Sequence, residues 1–365
     1  MHIILGCDDV GKEALSFYRK MNSSPDCLFC DVDDIRNGDI IEGTRVISFK
    51  EMKNKSDDSD IVIADEYAYD RIAVKLWEAG IRKFNIYFNK NGGVRNVSGY
   101  DGKYGILNYL QFRVIDHCNL NCKSCGSVCN RDTPHNFVRA EEFEKDVKQC
   151  HKYVPVIGRI HILGGEPFLH PELGKILEVV RGYYAETLIT VVTNGLLVER
   201  MTEALMDAFK MNNIAINISG YPPVMERIGA ISKFLEEKGI ACSVRPVGKF
   251  NNFRRLDYVS DIKKAWDSCR VNSCTNYKSG ILCGCSMIEA FEKMNRQFGT
   301  SYQMIEEEDY FDLYKTKQSI HDILSAFRKP KHICGYCDSK PATWFDWSLP
   351  NEEISVYDYV VDGKR

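Results

Sequence analysis

The 365-residue sequence predicts an α/β protein made of two series of β/α units and an irregular third region. Apolar runs of strand length alternate with helical patterns up to about residue 90, and a second alternation extends to about residue 250. From residue 251 onward the pattern becomes irregular and is interrupted by cysteine and glycine. We therefore expect three domains, at residues 1–95, 106–250 and 251–365.

The first series predicts a small parallel sheet. Its strands are expected at His2–Gly6, Cys27–Asp31, Asp60–Ala64 and Phe84–Phe88, with helical patterns between them. The stretch that follows, Asn89–Gly105, is rich in glycine and polar residues. It is expected to be a linker.

The second series predicts a barrel or partial barrel, because β/α units of similar length repeat in it. Its strands are expected at Leu110–Ile115, Arg159–Leu163, Leu188–Thr193, Ile214–Ile218 and Ala241–Val247. In such barrels the functional side chains project from the carboxyl ends of the strands. We therefore expect the polar residues after these strands to face one mouth.

The composition excludes several classes of function. A net charge of −3 and a pI near 6.3 provide no electrostatic basis for binding nucleic acid or an anionic membrane. The longest apolar runs are strand-sized, and the N-terminus has no basic region or cleavage site of a signal peptide. A cytoplasmic protein is expected. In a reducing compartment its 15 cysteines, an odd number, are better explained as metal ligands than as disulfides.

The first cysteine cluster follows the first barrel strand. Cys118, Cys122 and Cys125 have C-x3-C-x2-C spacing. Three thiolates on one short loop can hold three irons of a [4Fe–4S] cluster and leave the fourth without a protein ligand. The alternative is a structural zinc site, or an ordinary four-cysteine cluster with Cys129 as the fourth ligand.

A glycine-rich motif follows the second barrel strand. The strand Ile160–Leu163 leads into Gly164, Gly165, Glu166 and Pro167. With the cysteine loop before it, this order of motifs resembles the radical S-adenosylmethionine (SAM) superfamily. The resemblance implies a partial (β/α)6 barrel and a [4Fe–4S] cluster whose open iron is chelated by the amino and carboxylate groups of SAM. It also implies that the glycine-rich segment binds the SAM amino group, where the absence of side chains lets backbone carbonyls approach an ammonium.

Further strand ends agree with this resemblance. Asn194 lies in a Thr-Asn-Gly turn after the third strand, as in many members of the superfamily. Asn217, Ser219 and Arg245, on the fourth and fifth strands, occupy places where the family has groups for SAM or substrate; a surface salt bridge is the alternative for Arg245. In one departure, Ser124 stands where the family usually has an aromatic residue near the adenine.

The third region contains a second set of cysteines. Cys269 is followed after ten residues by Gly280 and after four more by Cys285, and Cys334 and Cys337 form a distant C-x2-C pair. This spacing resembles the Twitch extension, a shortened SPASM domain, which implies one auxiliary [4Fe–4S] cluster on the four cysteines. Zinc is the alternative metal. Two further cysteines, either of which could replace a ligand, are left over: Cys274 and Cys283.

The first strand is followed by a turn with partial nucleotide-binding motifs. Gly6 and Gly11 match the outer glycines of G-x-G-x-x-G, but Asp8 replaces the middle glycine. Glu13 replaces the Ser or Thr of a P-loop. Asp31 lies where a ribose-binding acid is found. The segment resembles Rossmann-like domains of sugar-modifying acyltransferases, and we expect assembly or loose substrate holding rather than tight dinucleotide binding.

Together these features predict an enzyme that reductively cleaves SAM to a 5′-deoxyadenosyl radical, which removes a hydrogen atom from the substrate. A carbohydrate, aminocyclitol or sugar nucleotide is the expected small-molecule substrate, undergoing dehydrogenation, deoxygenation or epimerisation. A low-potential protein such as flavodoxin or ferredoxin is the expected electron donor. The alternatives are a maturase of a ribosomal peptide and a non-catalytic iron–sulfur or zinc scaffold. The sequence identifies no catalytic acid or base.

Overall fold

The computed structural model describes residues 1–21, 26–65, 68–88, 93–129, 136–258, 261–269, 271, 274–338, 343–349 and 354–361. The chain forms two compact units. The first contains residues 1–108, 153–159 and 319–321, and the second contains 109–152, 160–318 and 322–365. The division into three domains remains a prediction, because the second unit includes both the barrel strands and the region beyond residue 250.

The first unit contains a seven-stranded sheet in the order β3-β4-β2-β1-β5-β6-β7. Its strands are β1 His2–Leu5, β2 Cys27–Asp31, β3 Ile40–Ile41, β4 Thr44–Ser48, β5 Asp60–Ile63, β6 Lys83–Phe88 and β7 Gly93–Ser98. The pairs β1–β2, β1–β5, β2–β4 and β5–β6 are parallel. Counted along the chain, these five parallel strands lie in the order 3-2-1-4-5, which is the order of a Rossmann-like sheet.

The helices of this unit cover the apolar strands. They are α1 Asp9–Met21, α2 Phe49–Lys55 and α3 Tyr69–Glu78. Helix α1 buries Val10, Ala14 and Tyr18, a spacing of four residues that places one stripe against the sheet. The four predicted strands of this region are present, together with β3 and β4, which were not predicted from the sequence.

The predicted linker Asn89–Gly105 is wrong over residues 93–98, which form β7. This strand pairs antiparallel with β6. It was hidden because its buried face carries Arg95 beside Val97, and Arg95 Nη1 donates a hydrogen bond to the Ile157 carbonyl at 3.1 Å. Residues 89–92 lie outside the described residues.

Close packing explains why the turn between β1 and α1 contains two glycines. A Cβ on Gly6, whose φ is +133°, would lie 1.9 Å from the Ala64 carbonyl oxygen, and one on Gly11 would lie 2.2 Å from the Gly6 oxygen. The Asp8 carboxylate accepts the Gly11 N–H at 3.0 Å. A carboxylate therefore occupies the helix start that a pyrophosphate would need. Asp31 likewise accepts N–H groups of its own turn, from Asp33 and Arg36.

The second unit is built on an eight-stranded sheet in the order β12-β11-β10-β9-β8-β14-β15-β16. Its strands are β8 Ile106–Ile115, β9 Val156–Gly164, β10 Leu188–Thr193, β11 Ala215–Gly220, β12 Cys242–Pro246, β14 Asn276–Lys278, β15 Ile281–Cys283 and β16 Tyr310–Asp312. The pairs β10–β11, β11–β12 and β8–β14 are parallel. The two remaining strands, β13 Lys249–Asn252 and β17 Thr343–Asp346, pair antiparallel.

Helices follow the strands of this sheet. They are α4 Ala140–Tyr153, α5 Leu173–Tyr183, α6 Glu203–Met211, α7 Pro222–Met225, α8 Ile228–Glu237, α9 Ile262–Asp267, α10 Met287–Phe298 and α11 Ile320–Phe327. The predicted α/β class and partial barrel are confirmed, with β8 to β12 as its consecutive strands. A sixth parallel strand, β14, comes from the cysteine-rich region and pairs with β8. In the part of the chain that the structure describes, no helix has the length and apolar character to cross a membrane.

Candidate functional site

The loop that carries the three cysteines begins where β8 ends. Its thiols accept hydrogen bonds: the Leu120 N–H donates to Cys118 Sγ at 3.4 Å, and Trp347 Nε1 donates to Cys122 Sγ at 3.1 Å. Burial raises the pKa of Cys122 to about 12. N–H donors around thiol sulfurs are a feature of iron–sulfur sites, where they set the potential.

The two glycines of the predicted SAM segment hold that segment against the cysteine loop. A Cβ on Gly164 would lie 2.0 Å from the Ile115 oxygen, and one on Gly165 would lie 2.1 Å from the His117 oxygen. The Gly165 N–H donates to the Ile115 carbonyl at 2.8 Å, and the Glu166 N–H donates to the His117 carbonyl at 2.9 Å. The ends of β8 and β9 therefore approach so closely that only glycine fits between them.

Replacing Gly165 with alanine is expected to displace the cysteine loop, because its Cβ would also lie 3.0 Å from the Cys118 nitrogen. We expect the free energy of unfolding to fall by about 1–3 kcal/mol, as in other overpacked sites, and bound iron to decrease. Urea denaturation and iron analysis measure the two effects. The control is Gly174→Ala, whose Cβ would meet Ala208 Cβ at an ordinary 3.6 Å. Equal iron and stability in the two variants would contradict the prediction.

The Glu166 carboxylate is fully buried and joins the ends of β9 and β10. It accepts hydrogen bonds from Phe168 N at 3.0 Å, Thr193 Oγ1 at 2.7 Å and Asn194 N at 2.8 Å. Burial raises its pKa from 4.5 to about 7, although these three donors act in the opposite direction. Pro167 begins the short 3-10 helix, Pro167–Leu169, that Glu166 caps.

The raised pKa of Glu166 predicts that the stability of the fold depends on pH. The unfolded chain loses the Glu166 proton near pH 4.5 and the folded chain near pH 7. The contribution of protonated Glu166 to the free energy of unfolding is therefore fully present below pH 4.5. It decreases as pH rises to about 7, by up to about 1.4 kcal/mol per pH unit. Denaturation of the wild type and of Glu166→Gln at several pH values tests this. The expected result is a stability difference that changes across this window, and parallel pH profiles would disprove it.

Asn194 lies beside the cysteine loop, whereas the other predicted SAM contacts lie further along the sheet. Asn194 Nδ2 donates to Asn119 Oδ1 at 2.6 Å and lies 3.8 Å from Cys118 Sγ. Asn217 Nδ2 donates to the hydroxyl of Ser243, its neighbour on β12, at 2.8 Å. Ser219 is buried on β11 and pairs in register with Arg245, which is exposed on β12.

Residues from the C-terminal part of the chain cover the cysteine loop. Beyond the indole contact with Cys122, the Lys123 N–H donates to the Ser348 carbonyl at 3.1 Å. Ser124, with φ +53°, is buried and donates to the Asp358 carbonyl at 2.6 Å. The ring of Tyr221 stacks on Trp347 with centroids 5.7 Å apart. The aromatic groups near the loop therefore come from Tyr221 and Trp347, while position 124 anchors the C-terminal cover.

The four predicted auxiliary ligands line one small cavity of the second unit: Cys269, Cys285, Cys334 and Cys337. Two of these thiols accept backbone N–H groups from two residues further on, Val271 N to Cys269 Sγ and Met287 N to Cys285 Sγ, each at 3.4 Å. The same i+2 pattern occurs at Cys118. Their placement and chemistry fit a group that is bound by thiolates.

In the described part of the chain, no three His, Cys, Asp or Glu side chains are already gathered closely enough to hold a metal ion. Of the remaining cysteines, Cys129 is buried and accepts from Lys293 Nζ at 3.3 Å. Cys274 accepts from Gln111 at 3.2 Å, and Cys283 is buried. Each has a hydrogen-bonding role of its own.

A buried network of charges lies behind the cysteine loop, and no motif in the sequence indicates it. Lys278 Nζ lies 2.7 Å from both Asp116 oxygens, and Lys293 Nζ lies 2.8 Å from Asp116 and 3.0 Å from Glu289. Arg113 Nε lies 3.1 Å from Glu289. Burial opposes ionisation of Glu289, but the three cations hold its pKa well below the ordinary value. The network joins β8, β14 and α10.

Comparison with known families decides what kind of domain carries this site. Residues 112–237 match the model of the radical SAM superfamily. This part of the chain is a radical SAM domain. The family implies a [4Fe–4S] cluster and SAM as cofactors, and the domain indicates an enzyme. The Twitch-like extension and the individual ligands remain predictions.

Among curated relatives, the chain is similar to GTP 3′,8-cyclases. It is 28% identical to that of Microcystis aeruginosa over 121 residues, 32% of this chain and 36% of the relative. It is 30% identical to that of Alkaliphilus oremlandii over 136 residues, 36% of this chain and 42% of the relative. A probable GTP 3′,8-cyclase of Methanococcus maripaludis is 26% identical over 179 residues, 47% of this chain and 58% of the relative. The chain thus spans less than two thirds of these relatives.

Solved structures with partial likeness include BtrN in an open conformation, with 16% identity and a TM-score of 0.39 over 63% of this chain and 87% of that chain. They also include anSMEcpe with bound AdoMet, with 18% identity and a TM-score of 0.32 over 39% of this chain and 44% of that chain.

Proposed function

We propose that the chain is a radical SAM enzyme in which Cys118, Cys122 and Cys125 bind three irons of a [4Fe–4S] cluster. The fourth iron is left for the amino and carboxylate groups of SAM. One observation carries this proposal: the loop of the three cysteines is joined by backbone hydrogen bonds to the Gly164–Glu166 segment, and Asn194 lies beside both. These groups meet at the carboxyl ends of adjacent strands, where barrel enzymes bind their ligands.

The residues of the chain would bind, orient and shield the cofactors. When bound, the cluster and SAM supply a 5′-deoxyadenosyl radical that removes a hydrogen atom from the substrate. The N–H groups of Leu120 and Trp347 donate to the thiol sulfurs, and the C-terminal cover limits the access of water. The Glu166 carboxylate is engaged by three donors, so we assign it a role in holding the two strand ends.

We propose that SAM extends from the cysteine loop along the carboxyl ends of β9 to β12. Gly164, Gly165, Glu166 and Pro167 would offer backbone groups to its amino end, and Asn194 would offer its amide. Asn217, Ser219 and Arg245 would bind the ribose, the carboxylate or the substrate. Their positions on neighbouring strands support this order.

The auxiliary [4Fe–4S] cluster is proposed on Cys269, Cys285, Cys334 and Cys337. Their shared cavity and the N–H donors to two of the thiols support the assignment. Cys285 and Cys337 are also packed against the same hydrophobic cluster as Cys125. The cluster would tie together the irregular region, anchor substrate or accept an electron. Zinc in place of iron would show as about one zinc and no second cluster.

We propose a small, polyhydroxylated substrate: a carbohydrate, an aminocyclitol or a sugar nucleotide. The aromatic rings of Tyr221 and Trp347 stack near the cysteine loop. The strand that precedes Tyr221, β11, carries the amide of Asn217 and the hydroxyl of Ser219. Such a mixture suits a ligand with apolar faces and many hydroxyls. A low-potential flavodoxin or ferredoxin in the cytoplasm is the proposed electron source.

A purine nucleotide is the second candidate substrate. The curated relatives are GTP 3′,8-cyclases, although they match only part of this chain. The exposed guanidinium of Arg245 could pair with a phosphate. This candidate differs from the first in requiring a triphosphate.

The test is anaerobic reconstitution of the full chain, followed by iron and sulfide analysis and an assay for 5′-deoxyadenosine. Separate reactions contain aminocyclitols, nucleotide sugars, GTP and a leader peptide. We expect 5′-deoxyadenosine only from reduced, loaded protein, with the greatest stimulation by a sugar-like compound. Stimulation by GTP alone would favour the second candidate, and stimulation by the peptide would favour a maturase. No 5′-deoxyadenosine under any condition would indicate a non-catalytic scaffold.

A further inference from the structure

One arginine, Arg254, is buried between the two predicted ligand sets of the second unit. Its exposed fraction is 1%. Its backbone forms an antiparallel bridge with Cys337, a proposed auxiliary ligand, and a parallel bridge with Val360. Its Nη2 donates to the Gly126 carbonyl at 2.9 Å, directly after Cys125. The residue is thus attached to one proposed site through its backbone and to the other through its side chain.

The guanidinium has donors that the described residues do not satisfy. Its Nε and Nη1 atoms are buried and have no hydrogen-bond partner among them. Burial lowers the pKa of Arg254, and the groups that act against this are Cys125, Cys337, Tyr359 and Tyr302. A buried cation without an anion is strongly unfavourable, and an arginine stays protonated in proteins. Among the described residues, no carboxylate is paired with Arg254 to supply the negative charge that it requires.

A second unsatisfied donor lies in the same environment. The hydroxyl of Tyr302 is buried and has no hydrogen-bond partner among the described residues. Burial raises its pKa, and the charges that act on it include those of Arg254 and Cys337. Cys125, Cys337 and Tyr302 all belong to or pack against one hydrophobic cluster. Two polar groups beside these cysteines thus have donors that lack a hydrogen-bond acceptor among the described residues.

A purely structural role accounts for only part of these contacts. The hydrogen bond to the Gly126 carbonyl uses only Nη2 of Arg254, and its Nε and Nη1 have no partner among the described residues. Thiolate ligands would supply the missing anion on both sides, because a [4Fe–4S] cubane bound by three or four thiolates carries net negative charge. Adding one electron makes that charge more negative, so a nearby cation stabilises the reduced form.

We propose that Arg254 is a positioning residue that acts as the shared counter-charge of both iron–sulfur sites, holding the Cys125 and Cys337 ligand sets together and raising the potential of the clusters they bind. The inference rests on the proposed function, because it requires iron–sulfur clusters at these cysteines. It adds an electrostatic connection between them.

The test is a reductive titration of the anaerobically reconstituted full chain with dithionite and mediators, followed by low-temperature electron paramagnetic resonance. We expect Arg254→Met to make reduction of at least one cluster about tenfold less favourable, a shift to lower potential of about 59 mV for one electron. Arg254→Lys, which retains the charge, should lie close to the wild type. The control Arg227→Met removes the same charge from an exposed pair with Glu199 and should cause no shift. Unchanged potentials in a fully loaded Arg254→Met protein would overturn the inference.

If Arg254→Met does not bind its clusters, the iron content of two further variants shows whether the charge at position 254 is required. Loading of Arg254→Lys but not of the neutral Arg254→Gln would support the need for charge. Loading of both with wild-type potentials, or of neither, would contradict it. Failure of the wild type itself to bind iron would instead refute the proposed function.

Discussion

Replacing Cys122 with alanine is expected to abolish 5′-deoxyadenosine formation and to remove about four irons per chain. The thiol is buried in the loop after β8 and accepts the indole N–H of Trp347. The auxiliary site should remain loaded, leaving about four irons. Iron analysis and the 5′-deoxyadenosine assay measure both effects, and retained cleavage would refute the assignment.

Two other cysteines provide matched controls for this experiment. Cys129→Ala tests whether a fourth thiol of the same loop is a ligand; it should retain both iron and SAM cleavage, because Cys129 already interacts with Lys293 and Ser127. Cys150→Ala removes a fully buried thiol from α4. Loss of the first cluster in Cys129→Ala would favour the four-cysteine alternative over an open iron.

Replacing Asp116 with asparagine is expected to destabilise the protein by about 3–5 kcal/mol, as is usual when one member of a buried ion network is removed. The change leaves Arg113, Lys278 and Lys293 with Glu289 as the carboxylate of the network. Lys293 is only 2% exposed, so water cannot replace the lost partner. Chemical denaturation measures the effect.

The control for this prediction is Asp207→Asn on α6. Asp207 forms an exposed pair with Lys210 at 2.8 Å, and such pairs contribute about 0–1 kcal/mol. If the chemical denaturation curves of Asp116→Asn and Asp207→Asn have similar midpoints and slopes, the buried network does not stabilise the fold.

Local patterns in the sequence were sufficient to predict most of the fold. The strands that became β1, β2, β5 and β6 are apolar runs, and β8 to β12 alternate with helical patterns. The α/β class and the radical SAM domain are confirmed. Strand β7 was missed because its buried face includes a charged residue, Arg95, which makes the segment resemble a loop.

The candidate site was predictable where its chemistry is local and hidden where it depends on distant partners. Cys118, Cys122 and Cys125 share one loop, so their spacing alone suggested the cluster. Trp347 and Arg254 have no motif of their own, and their contacts with this loop form only in the folded chain. Gly165 also has a structural reason that no sequence motif indicates: close backbone packing against His117 is enough to require a glycine.

The C-terminal cover of the cysteine loop has a consequence for biosynthesis. Cys122 and Trp347 are 225 positions apart, so the loop leaves the ribosome long before its cover. At about 5–20 residues per second, about 11 to 45 s separate the two events. During that interval Trp347 and Ser348 do not yet cover the loop, and its thiols are accessible. We therefore expect that the proposed cluster can be inserted before the polypeptide is complete, and that the contact of Trp347 with Cys122 forms afterwards.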